Sequence, residues 1–196
     1  MAGLVFAWDM DQTLIGNYFR LDQDPVPELD FNEKALAVLR QARESPKVAA
    51  IVLYTNNSDR PFIEHVLSQI GVKFDAIIDG NRPKVPNLVR DLPKTLKNIE
   101  VALEAVGLDS TNLKDRVYFF DDMPDHSLRD ELTNPSVQYI LMTPPYKEGN
   151  DETNFGPALA ALGALSMKQG GRRRRRRRNR RTQKKVKKSK RSRKSA

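Results

Sequence analysis

The chain has 196 residues and no cysteine, which excludes disulfides and thiolate metal sites and leaves room for one ordinary domain with a full core plus a smaller segment. Its formal charge of +9 is unevenly spread: 17 of the 34 Lys and Arg lie in residues 172–196, which hold no acid, leaving 17 bases against 25 acids, a net −8, in the rest. No stretch approaches the roughly 20 apolar residues of a membrane span, and the opening MAGLVFAWDMDQ lacks a basic flank and ends in acid, so it makes a poor signal peptide and an intracellular protein is expected.

In chain order, residues 4–8 (LVFAW) read as a short buried strand, followed at once by Asp9 and Asp11. Residues 16–30, with two prolines and four acids, read as a loop. Ala35, Leu36, Val38, Leu39 and Ala42 recur at helical spacing after Asn32, a good N-cap. Residues 48–54 (VAAIVLY) suit a strand buried on both faces. A helix capped by Ser58 or Asp59 runs to about residue 70, with Pro61 in its first turn and Gly71 at its end. Further expected elements are a strand at 74–78, a helix at 94–106, a strand at 116–120, a short helix near 126–132, a strand at 137–142 and a last helix at 157–168. Alternating strands and helices predict an α/β fold with a mainly parallel, Rossmann-like sheet and helices on both faces.

Three apolar strands end in polar groups: Asp9 with Asp11 and Thr13, then Thr55-Asn56-Asn57, then Asp121-Asp122. In an open parallel sheet the strand C-termini share one edge, where ligands bind. Asp9, Asp11, Thr55, Asp121 and Asp122 should therefore converge. Four carboxylates cannot share a poorly solvated spot without a cation. All-oxygen donors, with no cysteine and no convincing histidine, point to a hard metal, most simply Mg²⁺.

The pattern resembles the haloacid dehalogenase (HAD) superfamily of phosphotransferases. The first motif of that family, an apolar strand followed by Asp-x-Asp-x-Thr, is matched by Asp9-Met10-Asp11-Gln12-Thr13-Leu14. The second, a strand ending in Thr or Ser, is matched by Ile51 to Thr55; the fourth, a strand ending in paired acids, by Val117 to Asp122. The match spans about residues 4–145. The resemblance implies that Asp9 is a nucleophile forming an aspartyl-phosphate, and that Asp11 is the acid for the leaving group and then the base for water. Thr55 would bind a phosphoryl oxygen, with Thr13 and Asn56 also at the substrate. Mg²⁺ would be held by Asp9, the Asp11 carbonyl and Asp122, with Asp121 helping through water. The third motif is a lysine near a helix start: Lys94 is the first choice, with Lys97 and Lys84 as alternatives. Two departures bear on metal affinity and substrate: Gln12 stands where Gly is common, and His126 where many members have a second acid.

The segments after Thr13 and after Thr55 are too short for a cap domain, so the site should be open, flanked by Tyr18 and Phe19. Trp8 is expected in the core, beside the site. The chain is loosely similar to capless polymerase-tail phosphatases, which suggests a phosphoprotein or a nucleic-acid end as substrate. A retired scaffold on the same fold and a small-molecule phosphatase are the alternatives. Residues 1–169 form the expected catalytic domain and 170–196 a disordered tail. Its Arg172, Arg173, Arg174, Arg175, Arg176, Arg177, Arg178, Arg180 and Arg181 suit polyanion binding through counterion release, nuclear import, or both, as in a nuclear or viral protein. Oligomeric state is not legible.

Overall fold

The computed structural model describes residues 3–81, 94–123, 138–142, 145–147 and 152–163. Lys84, His126, the expected helix at 126–132, the boundary at residue 170 and the whole basic tail lie outside the described residues. The chain divides into two units, Met1–Ala158 and Leu159–Ala196, and of the second only residues 159–163 are described.

Five strands form one sheet: β1 (Leu4–Trp8), β2 (Val48–Tyr54), β3 (Ala76–Ile78), β4 (Val117–Asp121) and β5 (Gln138–Leu141), in the order β3-β2-β1-β4-β5. Every pairing is parallel. The helices are α1 (Glu33–Glu44), α2 (Arg60–Ile70), α3 (Leu96–Ala105) and α4 (Gly156–Leu162). Through α1 and α2 the chain steps outward from β1 to β2 to β3. Through α3 it then crosses back to β4 on the other side of β1. Right-handed crossovers in opposite directions put α3 on the face opposite α1 and α2. The reversal lies between β1 and β4, which is where a crevice opens at the strand C-termini.

One core layer joins Val5, Ala7, Val52, Tyr54, Val117 and Phe119 to Ile99 and Leu103 of α3. Alternation sends Phe6, Trp8 and Phe120 to the other face, where Trp8 stacks on Phe120 at 3.7 Å between centroids. Trp8 is therefore core, and among the described residues its indole N–H has no partner.

Local chemistry sets the element ends. Asp59 caps α2 by accepting from the Phe62 N–H, and Gly71 closes that helix at φ 69°, where a Cβ is unfavourable. Helix α3 starts later than the apolar pattern suggested: Thr95 accepts from the Asn98 N–H, so Lys94 precedes the cap. Strand β3 is shorter than expected because the Asp75 carboxylate accepts from the Ile51 N–H at 2.8 Å. β4 starts and ends one residue late, placing Asp121 within the strand. A 3-10 turn at Leu113–Asp115 had no signal in the apolar pattern.

Asn32 joins α1 to the loop after β1. Its Oδ1 accepts from the Ala35 N–H, and its Nδ2 donates to the buried Thr13 carbonyl at 3.1 Å. Asn32→Ala is expected to cost about 2–3 kcal/mol, the sum of a lost cap and an orphaned carbonyl. Urea unfolding checks this; a loss under about 0.5 kcal/mol, the size of an ordinary surface change, contradicts the double role.

Candidate active site

β1 delivers Asp9 to the crevice directly, its N–H still donating to the Phe120 carbonyl at 2.9 Å as an extension of the ladder. The chain then turns sharply. Gln12 adopts φ 56°, which costs an L-residue roughly 1–2 kcal/mol. That conformation is held from both sides: the Gln12 N–H donates to Ile15 O and its carbonyl accepts from the Tyr146 N–H. A left-handed turn is thus required where Gly was expected, and tertiary hydrogen bonds stand in for glycine's freedom.

The centre is a buried cation between two buried acids. Lys94 Nζ lies 2.7 Å from Asp9 Oδ1 and 2.6 Å from Asp121 Oδ2. All three side chains are almost fully enclosed. Lys94 enters between the rings of Tyr54 and Phe119, about 6 Å from each centroid. The Tyr54 hydroxyl accepts from the Thr95 N–H and the Asn98 amide, which positions the backbone beside Lys94. Lys97 is instead exposed and paired with Glu100.

Carboxylate oxygens of Asp9, Asp121 and Asp122 all lie within 4.8 Å of one another. One ammonium against three acids leaves the cluster short of positive charge. The groups respond accordingly. Burial is the largest influence on Asp9 and raises its pKa well above the usual value; Lys94 opposes this and Asp121 reinforces it. Burial, then Asp121, pushes Asp122 up to about 6. Burial alone would lower Lys94, but Asp9 and Asp121 outweigh it and hold the ammonium charged. A close-set, all-oxygen cluster with excess negative charge fits a hard divalent cation, so the residues present suit Mg²⁺.

Asp11 stands beside this cluster, less buried. Burial raises its pKa, partly offset by hydrogen bonds from Asn57 and Thr55, so it holds a proton more readily than a free carboxyl. The Thr55 hydroxyl donates to Asp11 Oδ2 over a long 3.4 Å and accepts from the Asn57 N–H. Thr13 is fully enclosed beneath the turn, its hydroxyl without a partner among the described residues, so it supports the loop from within. Asn56 is exposed, whereas Asn57 turns to Asp11 and lines the cleft beside it. The only sequence signal for Asn57 was a second amide at the strand end, and nothing local says which of two adjacent amides turns inward. Gly80 keeps this loop in place: a Cβ there would meet the Asn56 carbonyl oxygen at 2.3 Å.

The sheet order β3-β2-β1-β4-β5 brings the ends of β1 and β4, with Asp9 and Asp121-Asp122, to one edge. Neither a protein-family model nor a curated protein matches the chain. Solved structures do. A hypothetical protein from Xanthomonas campestris shares 16% identity over 84% of this chain and 86% of its own, with a TM-score of 0.52. An uncharacterized protein from Listeria monocytogenes serotype 4b shares 18% over 85% of this chain and 99% of its own, at 0.51. A probable YrbI family phosphatase from Pseudomonas syringae pv. phaseolica 1448a shares 15% over 86% and 92%, at 0.48. At these identities the likeness is one of fold, and it leaves the chemistry to be argued from the site.

Proposed function

We propose that the chain is a Mg²⁺-dependent phosphomonoester hydrolase working through an aspartyl-phosphate on Asp9. The observation that carries this reading is the Asp9–Lys94–Asp121 arrangement with Asp11 alongside. A merely structural cluster has no need to bury two acids on one lysine, with a third acid within 4.8 Å, at a sheet's ligand-binding edge. In the proposed sequence the Asp9 carboxylate attacks phosphorus and the ester P–O bond breaks. Asp11 gives its proton to the leaving oxygen. The Asp11 carboxylate then takes a proton from water, which attacks phosphorus and releases phosphate from Asp9. Lys94 offsets charge on the phosphoryl group and orients Asp9 through its 2.7 Å contact. Bound at Asp9, Asp122 and the Asp11 carbonyl, Mg²⁺ would supply Lewis-acid stabilisation of the phosphoryl oxygens.

Hydrolysis of phenyl phosphate tests this directly. Turnover should require both Mg²⁺ and Asp9, disappearing with chelator and in Asp9→Asn. Turnover that survives either change contradicts the mechanism.

A large substrate is the favoured class, because no cap is seen among the described residues: residues 9–32 between β1 and α1 hold only isolated bridges. The 17 basic residues of 172–196 are proposed to bind nucleic acid or another polyanion, or to direct nuclear import. No helix among the described residues is long and apolar enough to cross a membrane. Deleting 172–196 is expected to abolish salt-sensitive nucleic-acid binding and leave phenyl phosphate hydrolysis intact. Tight binding retained by residues 1–171, read by fluorescence anisotropy across a salt series, would sink that division of labour.

A further inference from the structure

Beside Asp11 lies a cleft of about 290 Å³ that the reaction as described does not use, walled among others by Gln12, Ile15, Tyr18 and Asn57. Asp9, Lys94 and Asp121 do not line it. Asp11, which in the proposed reaction touches the departing oxygen, also lines this cleft, so a group beyond that oxygen can occupy it. Its volume is at the low end for small-molecule sites and suits one ring, the part of a substrate next to the ester oxygen.

The walls select by charge and shape. No Lys or Arg lines the cleft, whereas Asp11 does. A second carboxylate, Asp59, accepts a hydrogen bond from the Tyr18 hydroxyl at 3.1 Å. The arginines nearest in sequence are engaged elsewhere: Arg20 with Asp22, and Arg60 with Glu64 and Asp79. An anionic leaving group would meet like charge with no Lys or Arg among the residues that line the cleft. Tyr18, meanwhile, is an aromatic surface held in place. It is 54% exposed, yet its ring packs edge-to-face on Phe62 at 4.7 Å and its hydroxyl is tied to Asp59. A solvent-facing ring fixed at both ends has little entropy to lose when another ring stacks on it.

We infer that this cleft is a leaving-group subsite for a flat, uncharged, ring-sized alcohol, so that aryl phosphomonoesters are preferred over esters with anionic leaving groups. The inference rests on the phosphatase reading above and names the substrate class of that same site.

The test compares phenyl phosphate with phosphoglycolate on the full chain in Mg²⁺, using wild type, Tyr18→Ala and Tyr18→Phe. Wild type should favour phenyl phosphate in kcat/KM by about tenfold or more. Tyr18→Ala should lose roughly tenfold on phenyl phosphate and little on phosphoglycolate, while Tyr18→Phe, which keeps the ring, stays within about threefold of wild type. Equal losses on both esters, or no preference in wild type, overturn the subsite. Calorimetric binding of both esters to Asp9→Asn, with and without Tyr18→Ala, reads the same selectivity without turnover. Selective binding with no hydrolysis by wild type keeps the subsite and removes the phosphatase reading. Hydrolysis without selectivity does the reverse, and absence of selective binding overturns the subsite whatever the rates.

Discussion

Lys94→Met is expected to lower kcat by about 10²–10³-fold and to destabilise the fold by about 3–5 kcal/mol. Methionine is nearly isosteric, so the loss is of charge and hydrogen bonds and not of volume. It leaves Asp9 and Asp121, which are 5% and 1% exposed, buried with no cation at 2.7 and 2.6 Å. Uncompensated burial of a charge is among the costliest single changes a protein can suffer. A second substitution separates stability from catalysis. Lys94→Met with Asp121→Asn removes one of the stranded charges and should recover part of the lost stability, without restoring turnover. Urea midpoints and phenyl phosphate kinetics on the three proteins check this. A single variant as stable as wild type would mean that the ion pairs are not formed in solution.

Arg116→Met is expected to be comparably destabilising, about 3–5 kcal/mol, with turnover per folded molecule unchanged. Arg116 is 6% exposed and donates to three backbone carbonyls, those of Gly3, Asp109 and Thr111. It thereby ties the approach to β1 to the turn that leads into β4. Its carboxylate partner Asp109, at 3.4 Å, is half-exposed and adds little. A lysine cannot reproduce the planar fork, so Arg116→Lys should recover only a minor part. The strand separates this residue from the site: Asp121 ends β4 five positions on, about 17 Å away along an extended chain. A fall in kcat matching that of Lys94→Met, measured well below the midpoint of unfolding, contradicts that separation.

Some of this molecule was legible in the sequence because the physics is local. The continuous apolar run of 48–54 suits a strand covered on both faces, and it is β2, Val48–Tyr54. The helical spacing from Ala35 to Ala42 and the Asn32 cap define α1 without reference to anything distant. Strand-terminal acids announced the edge at which Asp9, Asp121 and Asp122 meet, since a parallel sheet brings strand C-termini together whatever the loops do.

Other features were decided only by the assembled fold, because they depend on groups far apart in the chain. Sequence spacing favours Lys94 over Lys97 and Lys84 without deciding between them. It is Thr95, capping α3 and held by the Tyr54 hydroxyl 41 positions away, that places Lys94 between Asp9 and Asp121. Asn57 rather than Asn56 faces Asp11 because the loop is set against Gly80, whose N–H donates to the Asn57 carbonyl. Gln12 can occupy a glycine conformation because Tyr146, brought from the far end of the domain, donates to its carbonyl. Apolar periodicity and caps encode elements over a few residues. Which lysine, which amide and which turn serve the site is settled by hydrogen bonds across the sheet, and these form only once the strand order β3-β2-β1-β4-β5 exists.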